Sequence, residues 1–320
     1  MANPACPGNT TGISNVFLLG FQDLPDLQSF LFVNFLIIYV LTILGNALIV
    51  VTVCVDARLH SPMYFFLGNL SFLEVWYTTT TVPTMLGGLI MEVQGVPLAT
   101  CITQLYFFGS LVTTECFLLT LMAYDRYVAI CFPLRYSSLM DQRLCRQLAA
   151  CAWTAGFVIA SFTSLLLCRI EFSDRSVIDH FFCDLAPLLK VACSDTTWLE
   201  MEVFAMSFIV LSVPFLLIIL SYVYIILAIV RIPSATGRNK AFSTCSSHLT
   251  VVITYFSLLI IMYVVPTSGH TFNLNKALSL LYCVATPMVN PVIYTLRNKE
   301  IRGTWRKILN KLLPPPRLGK

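Results

Sequence analysis

Seven long apolar stretches constrain this 320-residue chain more than any other feature. Five carry no charged residue, and the second and third carry one acidic residue each, Glu74 and Glu115. A helix needs about 20 mostly apolar residues to cross about 30 Å of hydrocarbon. The stretches cover residues 27–55, 63–89, 101–122, 147–168, 203–230, 241–265 and 277–296. The pattern predicts an all-α membrane protein, a bundle of seven transmembrane helices spanning residues 27–296.

Composition excludes a soluble globular domain. Hydrophobic residues make up 57% of the chain and charged residues 11%, whereas soluble domains carry about 25% charged residues. The links between stretches are mostly short and show no Pro-, Gly- or Ser-rich linker, so a single bundle is expected.

The basic residues predict the orientation. Four segments hold 16 of the 20 Lys and Arg residues: Arg58, residues 126–146, residues 231–240 and residues 297–320. Cytoplasmic loops of membrane proteins carry an excess of Lys and Arg. We therefore expect a multi-pass plasma-membrane protein with a cytoplasmic tail and, after an odd number of crossings, an extracellular segment 1–26.

The segment 1–26 is polar and lacks the basic and apolar regions of a cleavable signal peptide, so the first stretch is predicted to target the chain to the membrane. The triplet Asn-Thr-Thr at Asn9 predicts an N-glycosylation site in this outer segment. A second matching triplet, at Asn69, falls inside an apolar stretch and is a chance match.

The tail, residues 297–320, alternates charged residues with apolar ones at helical spacing. Its apolar positions are Ile301, Trp305, Ile308, Leu309 and Leu312. This pattern is typical of an amphipathic helix on an anionic membrane surface, so membrane lipid is the expected partner. A calmodulin-like target is the alternative.

The sequence does not indicate an enzyme. It contains no HExxH, GxSxG, P-loop or CxxC pattern, and neither a catalytic nor a metal-binding cluster is expected. An ion-coupled transporter would account for Glu74 and Glu115, since acidic residues inside a membrane are costly and usually functional.

Four motifs resemble those of the odorant receptors, a branch of the rhodopsin-like G-protein-coupled receptors. They are LHSPMYFFL (59–67), MAYDRYVAIC (122–131), KAFSTCSSHL (240–249) and PMVNPVIYTLRN (287–298). They occur in the family's order and on the predicted cytoplasmic side. The resemblance implies a receptor that performs no chemistry, binds a small volatile odorant and activates a heterotrimeric, stimulatory olfactory-type G protein, raising cAMP. A transporter leaves these motifs unexplained.

The resemblance also implies a ligand pocket in the outer half of the bundle, among the third, fifth, sixth and seventh spanning helices. The expected lining is Phe108, Gly109, Val112, Thr113, Met206, Ser207, Val210, Phe256, Leu259, Ile260, Tyr263 and Leu280. Because these residues are uncharged and mostly apolar, we expect a neutral, hydrophobic ligand. The sixth helix reads Tyr255-Phe256-Ser257 where the family usually has Phe-Tyr-Gly, which favours an apolar contact at Phe256.

A second set of residues is implied to couple the receptor to the G protein and to switch its conformation. It comprises Asp125, Arg126, Tyr127, His248, Asn290, Pro291 and Tyr294. By resemblance, Arg126 meets the G protein when the sixth helix moves. Without the resemblance, Arg126 reads equally well as an arginine extending to the membrane surface.

Asn46, Glu74, Glu115 and Asn290 are implied to form a polar core site. The family commonly has Asp at the position of Glu74, so the reach of the carboxylate differs here. Two interpretations stay open: a sodium ion held by these groups, or two protonated carboxyls bonded to their neighbours. No other cofactor is expected.

The resemblance implies a disulfide between Cys101 and Cys183, which would tie the third helix to the second outer loop. Ser173 stands where the family generally has another loop cysteine. Cys193 is therefore left with three alternatives: pairing with Cys168, pairing with Cys6, or remaining free.

Overall fold

The computed structural model describes residues 15–22, 25–91, 94–172, 175–263, 272–297, 301 and 303–305. Most of these residues are helical. The helices are α1 (Gln28–Val55), α2 (Pro62–Ile90), α3 (Leu98–Cys131), α4 (Tyr136–Leu139), α5 (Gln142–Leu167), α6 (Leu185–Lys190), α7 (Thr197–Val230), α8 (Ala235–Tyr263), α9 (Phe272–Leu280) and α10 (Thr286–Arg297). A π-helical segment, Leu281–Ala285, joins α9 to α10.

Five helical segments are long and apolar enough to cross a membrane among the residues described. They are Pro25–Val55, Leu98–Cys131, Gln142–Leu167, Thr197–Val230 and Lys276–Tyr294. The second apolar stretch lies on α2, which is less apolar because it carries Glu74 and four consecutive threonines. The sixth lies on α8, whose described apolar part runs from His248 to Met262.

Helix ends follow local sequence signals. Pro62 opens α2 at a position where a missing N–H costs nothing, and the Asp141 side chain caps α5 by accepting from Leu144 N at 2.8 Å. Helix α3 continues to Cys131, two turns beyond the predicted stretch, because Asp125 and Arg126 are compatible with a helix that extends past the hydrocarbon.

Helix α3 is the central element and packs against α2, α5 and α7. Large apolar side chains such as Phe30, Ile37 and Leu44 on α1 face outward, with 53–63% of their surface exposed. Outward apolar surface of this kind fits a protein surrounded by lipid. Helices α1 and α10 approach closely at Gly45, where a side chain would meet Pro291 at 3.3 Å.

A three-stranded sheet, not predicted from sequence, covers the end of the bundle that is predicted to be extracellular and is called the outer end below. Strand β1 (Asn15–Leu18) lies between β2 (Gln94–Pro97), which is antiparallel to it, and β3 (Arg175–Ile178), which is parallel to it. Val16, Leu18 and Ile178 are buried in a small apolar cluster under the sheet. The sheet thus holds the second outer loop over the bundle.

The tail meets α1 at the opposite end of the bundle, which is predicted to be cytoplasmic and is called the cytoplasmic end below. Ile301 is fully buried, the Trp305 indole donates to Thr52 Oγ1 at 3.0 Å, and the Thr304 hydroxyl donates to Asp56 at 2.6 Å. Ile301 and Trp305, two members of the predicted apolar face, therefore pack against the bundle. The remaining members, Ile308, Leu309 and Leu312, lie outside the described residues.

Candidate ligand-binding cavity and cytoplasmic switch

An outer-half cavity of about 140 Å³ lies between α3, α5 and α7. Leu259 of α8, the loop residue Asp184 and Leu185 at the start of α6 complete its wall. Most of the lining is apolar. The helical residues from α3, α5 and α7 are Leu105, Phe108, Gly109, Val112, Thr113, Ile159, Ala160, Thr163, Ser164, Leu167, Val203, Met206, Ser207, Val210 and Leu211.

The cavity brings together eight of the twelve residues predicted to line a ligand pocket. They are Phe108, Gly109, Val112, Thr113, Met206, Ser207, Val210 and Leu259. The prediction that the seventh spanning helix lines the pocket does not hold for this cavity. The fourth spanning helix, α5, lies there instead.

An aromatic cluster closes the side toward the seventh spanning helix. The ring of Phe108 lies 5.4 Å from Tyr77, 5.4 Å from Phe182 and 5.8 Å from Tyr282, measured between centroids. Edge and tilted contacts at these distances are favourable. Leu280 consequently packs on the core, away from the cavity.

The other predicted lining residues also lie elsewhere. Phe256 is fully buried with its ring centroid 5.5 Å from that of Phe215, so its side chain packs against protein atoms and does not line the cavity. Ile260 is half-buried against the core. The side chain of Tyr263 lies outside the described part of the structure.

The cavity is covered by a loop with several attachments. The predicted disulfide between Cys101 and Cys183 is confirmed, and Cys183 N donates to Gln104 Oε1 at 3.0 Å. The Lys276 ammonium on α9 pairs with Asp179 at 2.7 Å. The loop over the cavity is thus tied to the third and seventh spanning helices.

His180 of the same loop is buried, and both of its ring nitrogens have partners. Nδ1 lies 3.2 Å from the carbonyl oxygen of Phe182, and Nε2 lies 3.3 Å from the Ser279 hydroxyl. Burial lowers the pKa of His180 below its usual range. The neutral ring therefore serves as a hydrogen-bonding link between the loop and α9.

Cys193 is also disulfide-bonded. Cys168 is a free thiol, so two alternatives are wrong: a Cys168–Cys193 bond and a free Cys193. Cys6, the other candidate partner, lies outside the described residues, as does the predicted glycosylation site Asn9.

The four residues predicted to form a polar core are all buried, and two of them, Asn290 and Glu74, are joined directly by a hydrogen bond. The Asn290 amide donates to Glu74 Oε1, and Asn46 Nδ2 donates to the carbonyls of Thr42 at 3.1 Å and Pro287 at 3.2 Å. Glu74 Oε2 and Asn46 Oδ1 are buried without a hydrogen-bond partner among the described residues. Two buried oxygen acceptors of this kind fit a hard cation.

At the cytoplasmic end, Asp125 and Arg126 form no ion pair with each other among the described residues. Instead, Asp125 accepts a hydrogen bond from the Tyr136 hydroxyl at 2.7 Å. Arg126 Nε is buried without a partner in the described part of the chain. A buried N–H donor without a partner is costly and favours an arrangement in which it finds one.

His248 on α8 and Tyr294 on α10 carry further buried polar groups of the predicted switch. The Tyr222 hydroxyl bonds to His248 Nδ1 at 2.7 Å, whereas His248 Nε2 and the Tyr294 hydroxyl have no hydrogen-bond partner among the described residues. Tyr127 makes a ring contact with Tyr224 on α7. Pro291 lies inside α10, where it removes one backbone hydrogen bond. The third, fifth, sixth and seventh spanning helices thus meet here.

Comparison with known proteins agrees with this architecture. A family model described as olfactory receptor matches residues 35–312. The chain is 49% identical over 305 residues to olfactory receptor 11L1 of Homo sapiens, covering 95% of each chain. It is 48% identical over 301 residues to olfactory receptor 6B9 of Mus musculus, covering 94% of this chain and 95% of the relative.

These matches extend over nearly the whole bundle and include the segments that form the cavity and the cytoplasmic switch. They exclude an enzyme. The chain belongs to the olfactory receptor family of seven-transmembrane G-protein-coupled receptors.

Proposed function

We propose that this receptor binds a small, neutral, hydrophobic volatile in the outer-half cavity and activates a stimulatory, olfactory-type G protein, raising cAMP. The observation that carries the proposal is the cavity itself. It is walled mainly by apolar side chains and lies beneath a loop that a disulfide ties to α3. Enclosed apolar sites with a few polar groups are typical of small-molecule binding.

Affinity for such a ligand is physically reasonable. A volatile of about ten heavy atoms has a ceiling near 1.5 kcal/mol per atom, well above the 8 kcal/mol or so that micromolar binding needs. Thr113 and Ser207 in the wall provide hydroxyls that orient a polar group.

Binding acts on the G protein by shifting a conformational equilibrium. An agonist must bind the active arrangement better than the inactive one, because equal affinity for both shifts neither. Arg126 is the proposed contact with the G protein. Its buried Nε, unpartnered among the described residues, favours a rearrangement that gives the guanidinium acceptors.

We further propose a plasma-membrane location with the N-terminal segment outside, Asn9 glycosylated and the tail inside. The basic segments support this orientation. Surrounding lipid contacts the outward apolar surface of helices such as α1. On the inner leaflet, Ile308, Leu309 and Leu312 provide further apolar contacts.

The polar core is proposed to hold a sodium ion through oxygens of Asn46, Glu74 and Glu115. Glu74 and Glu115 are both buried, and a cation between them offsets the cost of two carboxylates inside the membrane. Glu74→Gln removes one charge, so sodium should then lose its effect on agonist potency. An undiminished sodium effect would contradict the site.

The function is tested by screening chemically diverse volatiles on cells in which surface receptor is quantified. Cells should contain the olfactory-type stimulatory G protein, and matched cells should lack it. We expect odorant-dependent cAMP only in the first set. A surface-expressed receptor that raises cAMP with none of the volatiles would contradict the proposal, as would equal responses without the G protein.

A further inference from the structure

Asp184 introduces a carboxyl group into a wall predicted to be uncharged. It follows Cys183 in the second outer loop and caps α6, where Oδ1 accepts from Leu185 N at 2.8 Å. The residue is only 7% exposed and lines the cavity. An acidic side chain in that position is expensive unless its oxygens find hydrogen-bond donors.

The protein supplies little to satisfy this carboxyl group. The Leu185 backbone bond is the one hydrogen bond to Asp184 found among the described residues. His180 is the nearby cation candidate, but its ring nitrogens already face the Phe182 carbonyl and the Ser279 hydroxyl. Acceptor capacity at Asp184 therefore remains available toward the cavity.

The electrostatics of Asp184 are consistent with this location. Burial raises the pKa of its carboxyl group, and the opposing effects of His180 and the Leu185 N–H are smaller. At a given pH, a smaller fraction of this group is therefore ionised than of an exposed aspartate. A ligand that pairs with either protonation state has an advantage here.

We propose that Asp184 is the specificity-determining polar contact of the cavity and selects odorants with an apolar body and a hydroxyl group. This inference rests on the proposed odorant-receptor function. The hydroxyl donates to the ionised carboxylate and accepts from the protonated one, so it suits both forms. The apolar body lies against Val112, Val210 and Leu259.

Other ligand classes fit less well beside the Asp184 carboxyl group. An ether or ketone oxygen only accepts, so it pairs with the protonated form alone. A carboxylate ligand meets a like charge. An ammonium must be desolvated, and the other polar side chains of the wall, including Thr113, Ser164 and Ser207, are neutral.

The test compares Asp184→Ser and Asp184→Asn with the wild-type receptor. Both substitutions keep a residue that caps helices well, so the start of α6 is preserved. Serine removes the carboxylate, and asparagine keeps its shape without charge. Asp195→Asn is the matched control, because Asp195 lies in the same loop region, is exposed and does not line the cavity.

Dose–response curves on surface-matched cells should use straight-chain compounds of equal length: an alcohol, a methyl ether, a methyl ketone and a primary amine. The wild-type receptor should respond best to the alcohol. We expect Asp184→Ser to weaken the alcohol about ten-fold or more and Asp184→Asn about three-fold, since bonds to charged groups are roughly twice as strong as neutral ones. The ether should change less than about two-fold.

Three results would overturn the inference. They are an equal loss of potency for the alcohol and the ether, an unchanged potency of the alcohol in both variants, or a higher potency of the amine or ketone than of the alcohol on the wild-type receptor. The proposed function fails separately, by the absence of any odorant response in the wild-type receptor. If one variant does not reach the surface, the other is compared with Asp195→Asn and decides the same question.

Discussion

The outer and cytoplasmic halves of the bundle differ in how fully their polar groups are paired. In the outer half, the loop over the cavity is fixed by a disulfide, the Lys276–Asp179 ion pair and both nitrogens of His180. In the cytoplasmic half, Arg126 Nε, His248 Nε2 and other buried atoms have no partner among the described residues. The outer half is built to hold one arrangement, whereas the inner half gains hydrogen bonds by changing its arrangement. This contrast is what a ligand-operated switch needs.

The strongest test of the rigid outer half is removal of its disulfide. Cys101→Ser should strongly reduce surface delivery, because a disulfide typically contributes about 2–4 kcal/mol. Surface labelling of intact cells measures the effect. Cys54→Ser is a matched control, since Cys54 is a free, exposed thiol on α1. Recovery of Cys101 as a free thiol from normally delivered receptor would contradict the role given to this bond.

The next largest effect is expected where α3 and α5 touch beside the cavity. A side chain at Gly156 would lie 2.1 Å from Thr114 Oγ1 and 2.6 Å from the carbonyl oxygen of Ser110. Gly156→Ala must therefore push the helices apart, at a cost of about 1–3 kcal/mol. We expect a lower temperature of thermal inactivation in detergent.

Gly109→Ala is the control for that substitution. Its added carbon would meet Ala160 at an ordinary 3.8 Å, so stability should be nearly unchanged. If Gly156→Ala is inactivated at the same temperature as Gly109→Ala and the wild-type receptor, the α3–α5 contact is less tightly packed than described.

A smaller, ligand-dependent effect is expected when the cavity itself is filled. Gly109→Leu extends into the cavity and should weaken long agonists more than short homologues, by several-fold, with normal surface delivery. Potencies along a homologous odorant series measure this. An unchanged ranking of agonists would place the ligand elsewhere.

Sequence motifs predicted the helices and much of the cavity wall, whereas other features depend on the packing of distant segments. The apolar stretches indicated the helices, and the resemblance supplied the Cys101–Cys183 bond. Helical spacing correctly placed all seven of the predicted α3 and α7 lining residues on the cavity wall. It could not show that Phe108 closes the side toward the seventh helix, because its partners Tyr77, Phe182 and Tyr282 come from three distant segments.

Two other features were missed for similar reasons. The outer sheet pairs residues such as Val16, Val96 and Ser176, and strands of four residues leave too little periodicity to detect. Asp184 was overlooked as one of several acidic loop residues. Its position directly after Cys183 was the available signal, since a disulfide to α3 holds the next residue close to the bundle.

A ligand in the outer cavity is proposed to act on a G protein through Arg126 at the opposite end of the bundle. The most direct measurement compares agonist-driven cAMP with agonist binding in Arg126→Ala and wild-type receptors at equal surface level. We predict that cAMP responses are abolished while the agonist still binds, because Arg126 lies outside the cavity wall. Full cAMP signalling by Arg126→Ala at that level would exclude Arg126 as the contact through which the receptor activates the G protein.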